Sequence, residues 1–240
     1  GDGYRMAAEV GHRIIQLKPS LVPLEVEEEW APELQGLALK NVTAAVLVGS
    51  KKVAEEFGEL LFTHFGLSGP IILSLSNVVS QNLETKTSEE VLVEINLKPA
   101  LSAETLDKRL QRDFTKFSRK QFKNSLGELL PARLIEVVID LAHIDPDKAV
   151  HQITKEERLR LVDILQHLTL TVSGTRPLSE AIVTAGGIDT REINPSRMES
   201  KLIKNLYFAG EVIDVDGYTG GFNLQAAFST GFVAGKRAAE

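Results

Sequence analysis

Residues 205–231 read NLYFAGEVIDVDGYTGGFNLQAAFSTG, and this stretch carries the strongest pattern in the chain. An apolar run from Leu206 to Ala209 predicts a strand that ends at Gly210. A glycine-rich loop follows, and then a helix of mostly small residues, with no Lys or Arg between Asn205 and Gly235. Main-chain N–H groups and a helix amino terminus arranged in this way favour binding of a polar ring or an anion.

The predicted helix after Gly221 repeats small residues at a spacing of four, at Ala227, Gly231 and Gly235. This spacing favours close packing of the helix on a sheet. Its amino end would direct N–H groups at an electron-rich oxygen, and in a flavin that oxygen is O2, next to N1, where the reduced ring holds negative charge. We interpret the segment as half of a flavin site, and simple close packing is compatible with that interpretation.

Two glycine turns are candidate parts of the same flavin site. Gly210 permits close approach of a ligand to the backbone, and Glu211 can accept hydrogen bonds from a sugar or ribitol hydroxyl. The alternative is a tight turn with a solvated Glu. A second turn, Ala185-Gly186-Gly187, follows a predicted strand from Glu180 to Thr184. It either lies against a flat ring or is only a turn.

Composition excludes several classes of protein. A chain of 240 residues suggests one or two domains, and no apolar run approaches the ~18 residues of a membrane span. The net charge of −6 argues against broad nucleic-acid binding. The absence of Cys removes disulfides, iron–sulfur clusters and thiol nucleophiles, and fits a reducing cytoplasm. Any redox chemistry therefore requires a bound cofactor.

Between the two glycine-rich ends the pattern predicts β structure, then a helical lobe, then β structure again. The predicted strands are Leu21–Val26, Leu37–Thr43, Ala45–Val48, Leu60–Thr63, Val91–Leu97 and Leu168–Val172, with Lys51–Glu59 ambiguous and a turn at Gly66–Pro70. The predicted helices are Met6–Val10, Ile71–Val79, one opened by Ser102, Ala132–Ile144 and Arg158–Gln166. Thr154 and Glu157 form a capping-box pattern before the last of these.

Other motifs give weaker predictions. Asp214 and Asp216 suggest calcium, but the following positions do not continue the pattern, and the histidines show no metal-ligand spacing, so no metal site is predicted. The sequence GLSGP at residues 66–70 resembles the GxSxG motif of a nucleophile elbow, but Pro70 replaces the last glycine, so a serine hydrolase is not predicted. His64 and Tyr218 are nominated as catalytic residues, although a structural role for His64 is favoured. A basic cluster from Lys108 to Lys123 is interpreted as a solvated helix face rather than a site for an anionic partner.

Four segments together resemble one family. Residues 1–12 (GDGYRMAAEVGH), residues 58–70 (GELLFTHFGLSGP), residues 184–188 (TAGGI) and residues 207–231 are similar, in this order, to the BaiN-like bacterial flavoproteins. That family comprises NAD(P)/FAD-dependent oxidoreductases, and some members are described as aminoacetone oxidases.

The resemblance implies an α/β fold, in which a partial Rossmann-type FAD domain is split around an insert. Residues 1–17 and 179–240 would form the FAD domain. Residues 18–178 would form the insert, with a β-barrel-like part at 18–100 and 167–178 and a helical part at 101–166. Gly210 and Glu211 would contact the FAD ribitol side, Ala185, Gly186 and Gly187 would flank the ring, and Gly220, Gly221, Phe222 and Asn223 would lie at the isoalloxazine end.

One element of that family is missing from the sequence. No GxGxxG motif is present, so the pyrophosphate half of a dinucleotide has no predicted binder. Gly1 is not an initiator Met, which suggests a piece of a longer protein. We therefore expect this chain to bind FAD weakly or not at all.

The functional expectation is the carboxy-terminal portion of a cytoplasmic, FAD-dependent oxidoreductase. NAD(P)H is a candidate electron donor, the substrate is an unidentified small molecule, and the chain alone is expected to be inactive. No nucleic-acid or membrane partner is expected, and the oligomeric state stays open. The alternative is a non-catalytic interaction module whose insert binds a protein or an anionic partner.

Overall fold

The computed structural model describes residues 1–84 and 89–240. The chain divides into two compact units. One comprises residues 1–23 with 175–240, and we call it the split unit. The other comprises residues 24–174, and we call it the insert unit. The predicted α/β class with a mixed insert is confirmed.

The insert unit is built on a closed barrel of antiparallel strands in the order β2-β5-β4-β3-β6-β7. The strands are β2 (Leu24–Val26), β3 (Ala38–Val48), β4 (Lys51–Thr63), β5 (Gly66–Ser68), β6 (Val91–Asn96) and β7 (Leu168–Thr175). Alternate residues of β6 point inward, so that Val93 and Ile95 are fully buried while Glu94 is not. This two-residue period is the signal that predicted β6 and β7 from the sequence.

The barrel joins segments that the sequence pattern treats as separate. The two predicted strands before Val48 form the single strand β3, whose pairing with β4 runs without interruption from Val42 to Val46 across the predicted break at Ala44. Residues 44–46 are all buried, so the two-residue alternation that marks a strand lapses there. The predicted turn at Gly66–Pro70 is wrong for its first three residues, which form β5 between β2 and β4. Gly66 is required there because a Cβ would lie 2.5 Å from the carbonyl oxygen of Leu24.

Helices cover the barrel and form the helical lobe. They are α2 (Trp30–Glu33), α3 (Pro70–Glu84), α4 (Ala103–Lys116), α5 (Ala132–Ala142) and α6 (Lys155–Gln166). The predicted capping box is confirmed, since Thr154 Oγ1 accepts the N–H of Glu157 and Glu157 accepts the N–H of Thr154. Arg158 of α6 donates to Asp107 of α4 at 2.6 Å and ties the two helices together.

The split unit contains a two-stranded antiparallel sheet. Along the chain, one helix precedes the first strand and another follows the second. Its elements are α1 (Asp2–Glu9), β1 (Ile14–Ser20), β8 (Val183–Ile188) and α7 (Phe222–Ala238), and β1 pairs with β8. Its small core contains Ala7, Ile188, Ile193 and Ile213.

Several sequence predictions fail in the split unit. The predicted strand at Leu206–Ala209 is wrong, because that segment makes only one isolated bridge, between Tyr207 and Glu199. Strand β1 escapes prediction, because polar Gln16 and Lys18 and the strand-disfavouring Pro19 interrupt its apolar residues. Leu21, the predicted start of a strand, adopts φ +48° and lies between β1 and β2.

Candidate functional site: the amino end of helix α7

Two consecutive glycines shape the backbone where α7 begins. Gly220 and Gly221 adopt φ +106° and +90°, a region that side chains disfavour. Gly221 is the N-cap residue, and no side chain within the described part of the chain caps the helix there. Both glycines are exposed. The first N–H groups of α7, which have no partner inside the helix, therefore face an accessible surface.

Asn223 fixes the loop that precedes α7. Its Oδ1 accepts the N–H of Gly217 at 2.8 Å, and its Nδ2 donates to the carbonyl oxygen of Gly217 at 2.9 Å. The side chain thus closes a two-hydrogen-bond clamp across the loop of residues 217–221. Asn223 was predicted to lie at the ring end of a flavin; in the structure its side chain holds the loop before α7.

The Gly210–Glu211 turn is attached to the middle of α7. The N–H of Gly210 donates to Thr230 Oγ1 at 3.0 Å, so this amide already has a partner. The carbonyl oxygen of Glu211 accepts the hydroxyl of Tyr4 at 3.1 Å, while the Glu211 side chain is exposed. Partial burial, and then the Glu211 carboxylate, raise the pKa of Tyr4. Tyr4 therefore stays a neutral hydroxyl donor at ordinary pH.

A shallow recess lies between this turn and α7. It measures about 30 Å³ and is lined by Gly210, Glu211, Ile213, Val215, Asn223, Ala226, Ala227 and Thr230. That volume suits a water molecule and does not enclose a tricyclic ring. The surface beside it is open and rich in exposed aromatic side chains. Tyr218, Phe222, Phe228 and Phe232 are among these exposed aromatic residues.

Gly186 and Gly187 lie inside the split unit, in β8. A Cβ on Gly186 would come within 2.3 Å of the carbonyl oxygen of Gln16, and one on Gly187 within 2.6 Å of that of Val212. Both residues are buried and have positive φ, whereas the preceding Ala185 is half-buried. The two glycines allow three backbone segments to approach closely, which accounts for them without a ligand. They belong to a paired strand, so the expected turn after a strand is wrong.

Two carboxylates lie beside these glycines. Burial and, to a smaller extent, the Asp216 carboxylate raise the pKa of Asp214, against an opposing hydrogen bond from the N–H of Gly186. The hydroxyl of Ser20 donates to Asp216 at 2.8 Å. Within residues 1–84 and 89–240, no cluster of three or more His, Cys, Asp or Glu residues is arranged to hold a metal ion.

The two residues nominated as catalytic lie in different units. His64 is exposed in the turn between β4 and β5 and packs edge-on against Phe65, with ring centroids 4.8 Å apart. Tyr218 lies in the loop before α7 and is 63% exposed. Neither side chain has a neighbour that would activate it as an acid or base in the described contacts.

A buried polar cluster around His12 was not predicted from the sequence. Its Nδ1 lies 3.0 Å from Glu192 Oε2, and its Nε2 lies 2.8 Å from Ser200 Oγ. The residue types are those of a hydrolase triad. However, Ser200 is buried, and its Oγ accepts the N–H groups of Leu202 and Ile203 at 3.0 and 2.9 Å. The serine is thus inaccessible, and the cluster is a structural tie.

Comparison with known proteins identifies the class of this fold. The family model described as HI0933-like protein barrel and H2TH domain matches residues 18–183, which span the barrel and the helical lobe. The chain belongs to this family, that of the BaiN-like flavoproteins, so the resemblance drawn from the sequence is confirmed.

Three curated relatives match nearly the whole chain. A 3-dehydro-bile acid delta(4,6)-reductase of Clostridium scindens is 30% identical over 240 residues, which cover 100% of this chain and 58% of the relative. Ribosomal RNA dihydrouridine synthases of Escherichia coli and Haemophilus influenzae are 34% and 35% identical over 95% and 96% of this chain. Each of these two is covered over 54% of its length. The chain therefore spans little more than half of the length of these relatives.

Among the helices in the described ranges, none is both long enough and apolar enough to cross a bilayer.

Proposed function

We propose that this chain supplies one wall of the FAD site of a flavin-dependent reductase. The observation that carries the proposal is the uncapped, glycine-flanked amino end of α7, exposed on a chain of the BaiN-like flavoprotein family. Bound FAD would supply hydride chemistry at N5 of its ring. The chain would supply orientation and electrostatic stabilisation.

The chemistry of the donor set fits the pyrimidine end of a flavin. Phe222 and Asn223 open the helix, and their N–H groups lie at its positive end. Donors at this place would stabilise the negative charge that reduction creates at N1 and O2. Glu211, exposed at the neighbouring turn, would accept hydrogen bonds from the hydroxyl groups of the ribitol. Gly186 and Gly187 would support the site from inside the unit and would not touch the ring.

The remaining walls of the site would come from the part of the protein that the longer relatives contain and this chain lacks. Three residues of α7 at a spacing of four, Leu224, Phe228 and Phe232, are 61%, 70% and 73% exposed. A helix normally buries such a stripe against another element. We propose that this stripe packs against a βαβ unit carrying the pyrophosphate-binding glycine motif.

The reductive direction is supported by the relatives. The names of both kinds of relative describe reductions, one of a bile-acid derivative and one that forms dihydrouridine in ribosomal RNA. We propose that bound flavin would supply hydride transfer to an unsaturated substrate, with NAD(P)H as the source of the electrons. His64 and Tyr218 remain proposed as proton donors, with no contact in the described structure that singles out either.

The test compares flavin binding by two glycine variants of the full-length gene product. Gly221→Val forces a β-branched residue to φ +90° at the amino end of α7, whereas Gly36→Val imposes a comparable φ of +84° in the insert unit. A Cβ at either position meets no atom within 4 Å, so the pair is matched for local strain. We expect Gly221→Val to weaken FAD binding at least tenfold and to lower the flavin reduction potential.

The control variant Gly36→Val should keep the affinity and potential of the unmodified protein. A full-length protein that purifies without flavin and takes none up on titration would refute the proposal. Equal FAD affinity in all three proteins would refute the role of α7. This 240-residue chain alone should show weak binding or none in the same titration.

A further inference from the structure

The helical lobe carries a concentration of positive charge that the average over the chain conceals. Residues 108–123 contain seven basic side chains and one acidic side chain, Asp113, although the formal net charge of the chain is −6. We call residues 108–123 the basic segment. It covers the second half of α4 and the turn after it, and its basic members are Lys108, Arg109, Arg112, Lys116, Arg119, Lys120 and Lys123.

Backbone hydrogen bonds anchor the turn of the basic segment. The carbonyl oxygen of Lys120 accepts the N–H of Val150 at 3.0 Å, and the N–H of Lys123 donates to the carbonyl oxygen of Pro146 at 3.0 Å. Phe122, between these two lysines, is fully buried. Arg119 and Lys120 are exposed. Cationic side chains therefore extend into solvent from a backbone that is held in place.

Two lysines share the ring of Phe117. The ammonium nitrogens of Lys116 and Lys120 lie 4.9 and 4.4 Å from its centroid. Attraction between the cations and the ring keeps these two positive charges close together in spite of their mutual repulsion. A closely spaced pair of ammonium groups suits neighbouring phosphates on a polyanion.

Carboxylates neutralise only part of the segment. Lys108 pairs with Glu104, Lys116 with Glu128 and Lys123 with Asp147, while Asp113 is shared between Arg109 and Arg112 at 3.5 and 3.6 Å. Apart from residues 85–88, which are not described, the chain provides no salt-bridge partner for Arg119 or Lys120. Exposed ion pairs of this kind contribute little, so a phosphate can replace the carboxylates.

We propose that the basic segment binds the phosphate backbone of an RNA, with Arg119 and Lys120 at the centre of the contact. The inference rests on the proposed function in one respect: it takes the substrate of that reductase to be a nucleoside within RNA. Two of the three relatives described above are named for ribosomal RNA, and both have a higher percentage identity to this chain than the bile-acid reductase has.

This proposal departs from the expectation that no nucleic acid is a partner. That expectation used the net charge of the whole chain, which determines long-range steering, whereas phosphate contacts depend on the local field. An anionic protein is the competing occupant. RNA is favoured because two cations share one ring and two more are exposed on the same turn, and because two of the relatives are named for an RNA substrate.

The test measures binding of the full 240-residue chain to a fluorescently labelled RNA hairpin with an unpaired, uridine-containing loop. Anisotropy titrations compare the unmodified chain with the double variant Arg119→Glu/Lys120→Glu. The matched control is Lys51→Glu/Lys52→Glu at the start of β4, which changes the net charge by the same amount at another exposed place. Thermal unfolding of all three proteins verifies that each is folded.

We expect the Arg119/Lys120 reversal to raise the Kd for RNA at least tenfold and the control reversal to change it less than threefold. The slope of log K against log salt should fall in magnitude by about two units, since about two phosphate contacts are lost. Equal weakening by both reversals, or no RNA binding at low salt, would overturn the proposal.

Failure of this inference can be told apart from failure of the proposed function. Flavin content is read from the visible absorbance of the full-length protein and does not involve RNA. A full-length protein that holds FAD but does not bind the hairpin would leave the flavin proposal intact. Loss of RNA affinity without loss of flavin in the full-length Arg119/Lys120 variant would support the inference.

Discussion

Ser200 Oγ donates its only hydrogen to Nε2 of His12, across 2.8 Å in the interior of the split unit. The direction follows from the other two contacts of this oxygen, which accepts the N–H groups of Leu202 and Ile203. With both lone pairs engaged, the hydroxyl proton can go only to His12. Nε2 is therefore unprotonated, and Nδ1 carries the proton that it donates to Glu192. The loop at residue 200 is thus tied to the end of α1.

The first prediction concerns this tie. Ser200→Ala removes one acceptor for two N–H groups and leaves Nε2 of buried His12 without a donor. Unpaired buried polar groups cost about 1–3 kcal/mol each, so we expect the free energy of unfolding to fall by about 2–3 kcal/mol. Urea unfolding of the 240-residue chain measures it. Ser196→Ala, at an exposed position in the same segment, is the control and should change stability by less than about 0.5 kcal/mol.

The second prediction concerns acid stability. Hydrogen bonds from the Arg191 side chain and backbone hold the pKa of Asp189 at about 2, below its ordinary value of 3.8. Because the folded state binds the proton less tightly, this carboxylate stabilises the fold fully above about pH 4 and loses that effect as the pH falls towards 2. Asp189→Asn should lower stability at pH 7 and leave it nearly unchanged near pH 2.

Urea unfolding at a series of pH values checks the Asp189 prediction, since urea does not screen charge. Arg191→Met, which removes the side-chain partner but keeps the backbone N–H donor, should weaken this pH dependence without abolishing it. Stability curves of the variant and the unmodified chain that run parallel from pH 7 to pH 2 would contradict it.

The third prediction concerns the glycine pair in β8. Gly186→Ala places a Cβ within 2.3 Å of the carbonyl oxygen of Gln16 and requires φ +87° of a residue that resists it. We expect a loss of about 2–4 kcal/mol, because backbone atoms of β1 must move. Gly127→Ala is the matched control, since its Cβ meets nothing within 4 Å and its φ is not positive. Equal melting temperatures of the two variants would contradict the close approach of Gly186 to the backbone of Gln16.

The fourth prediction concerns the clamp on the loop before α7. Asn223→Ala removes both hydrogen bonds to Gly217, so amide hydrogen exchange at Gly217 should accelerate at least tenfold. Gln225→Ala, which loses only a surface contact with Ser229, should leave that exchange rate unchanged. In the full-length protein, the same Asn223 variant should also weaken FAD binding. An unchanged exchange rate at Gly217 would mean that other contacts hold the loop.

These elements show how far local sequence signals reach. The capping box at Thr154, the helix opened by Ser102 and the helix after Gly221 were predicted because caps and helical periodicity depend on residues three or four apart. The strands of the barrel were found where apolar and polar residues alternate. Where that alternation lapses, as at the three consecutive buried residues 44–46, the prediction divided a strand, and it took the short strand that begins at Gly66 for a turn.

The flavin site stays a prediction, and the structure adds the contacts that its proposed residues make. The glycines at α7 were located from the sequence, but the roles of Asn223, Gly186 and Gly187 depend on the atoms that surround them. Sequence patterns identified these residue types as suitable for a ligand. Packing assigns Gly186 and Gly187 to backbone contact and Asn223 to holding a loop.

Four segments of the sequence were enough to recognise the family, and that resemblance implied the α/β class. The position of the glycine-rich helix start followed from the short-range spacing of residue types. The tertiary structure alone decided the tie of His12 to Ser200, which are 188 positions apart, and the closure of the barrel. It also decided which face of α7 stays exposed. Contacts between residues far apart in the chain leave no periodic trace in the sequence, and only the folded backbone brings those residues together.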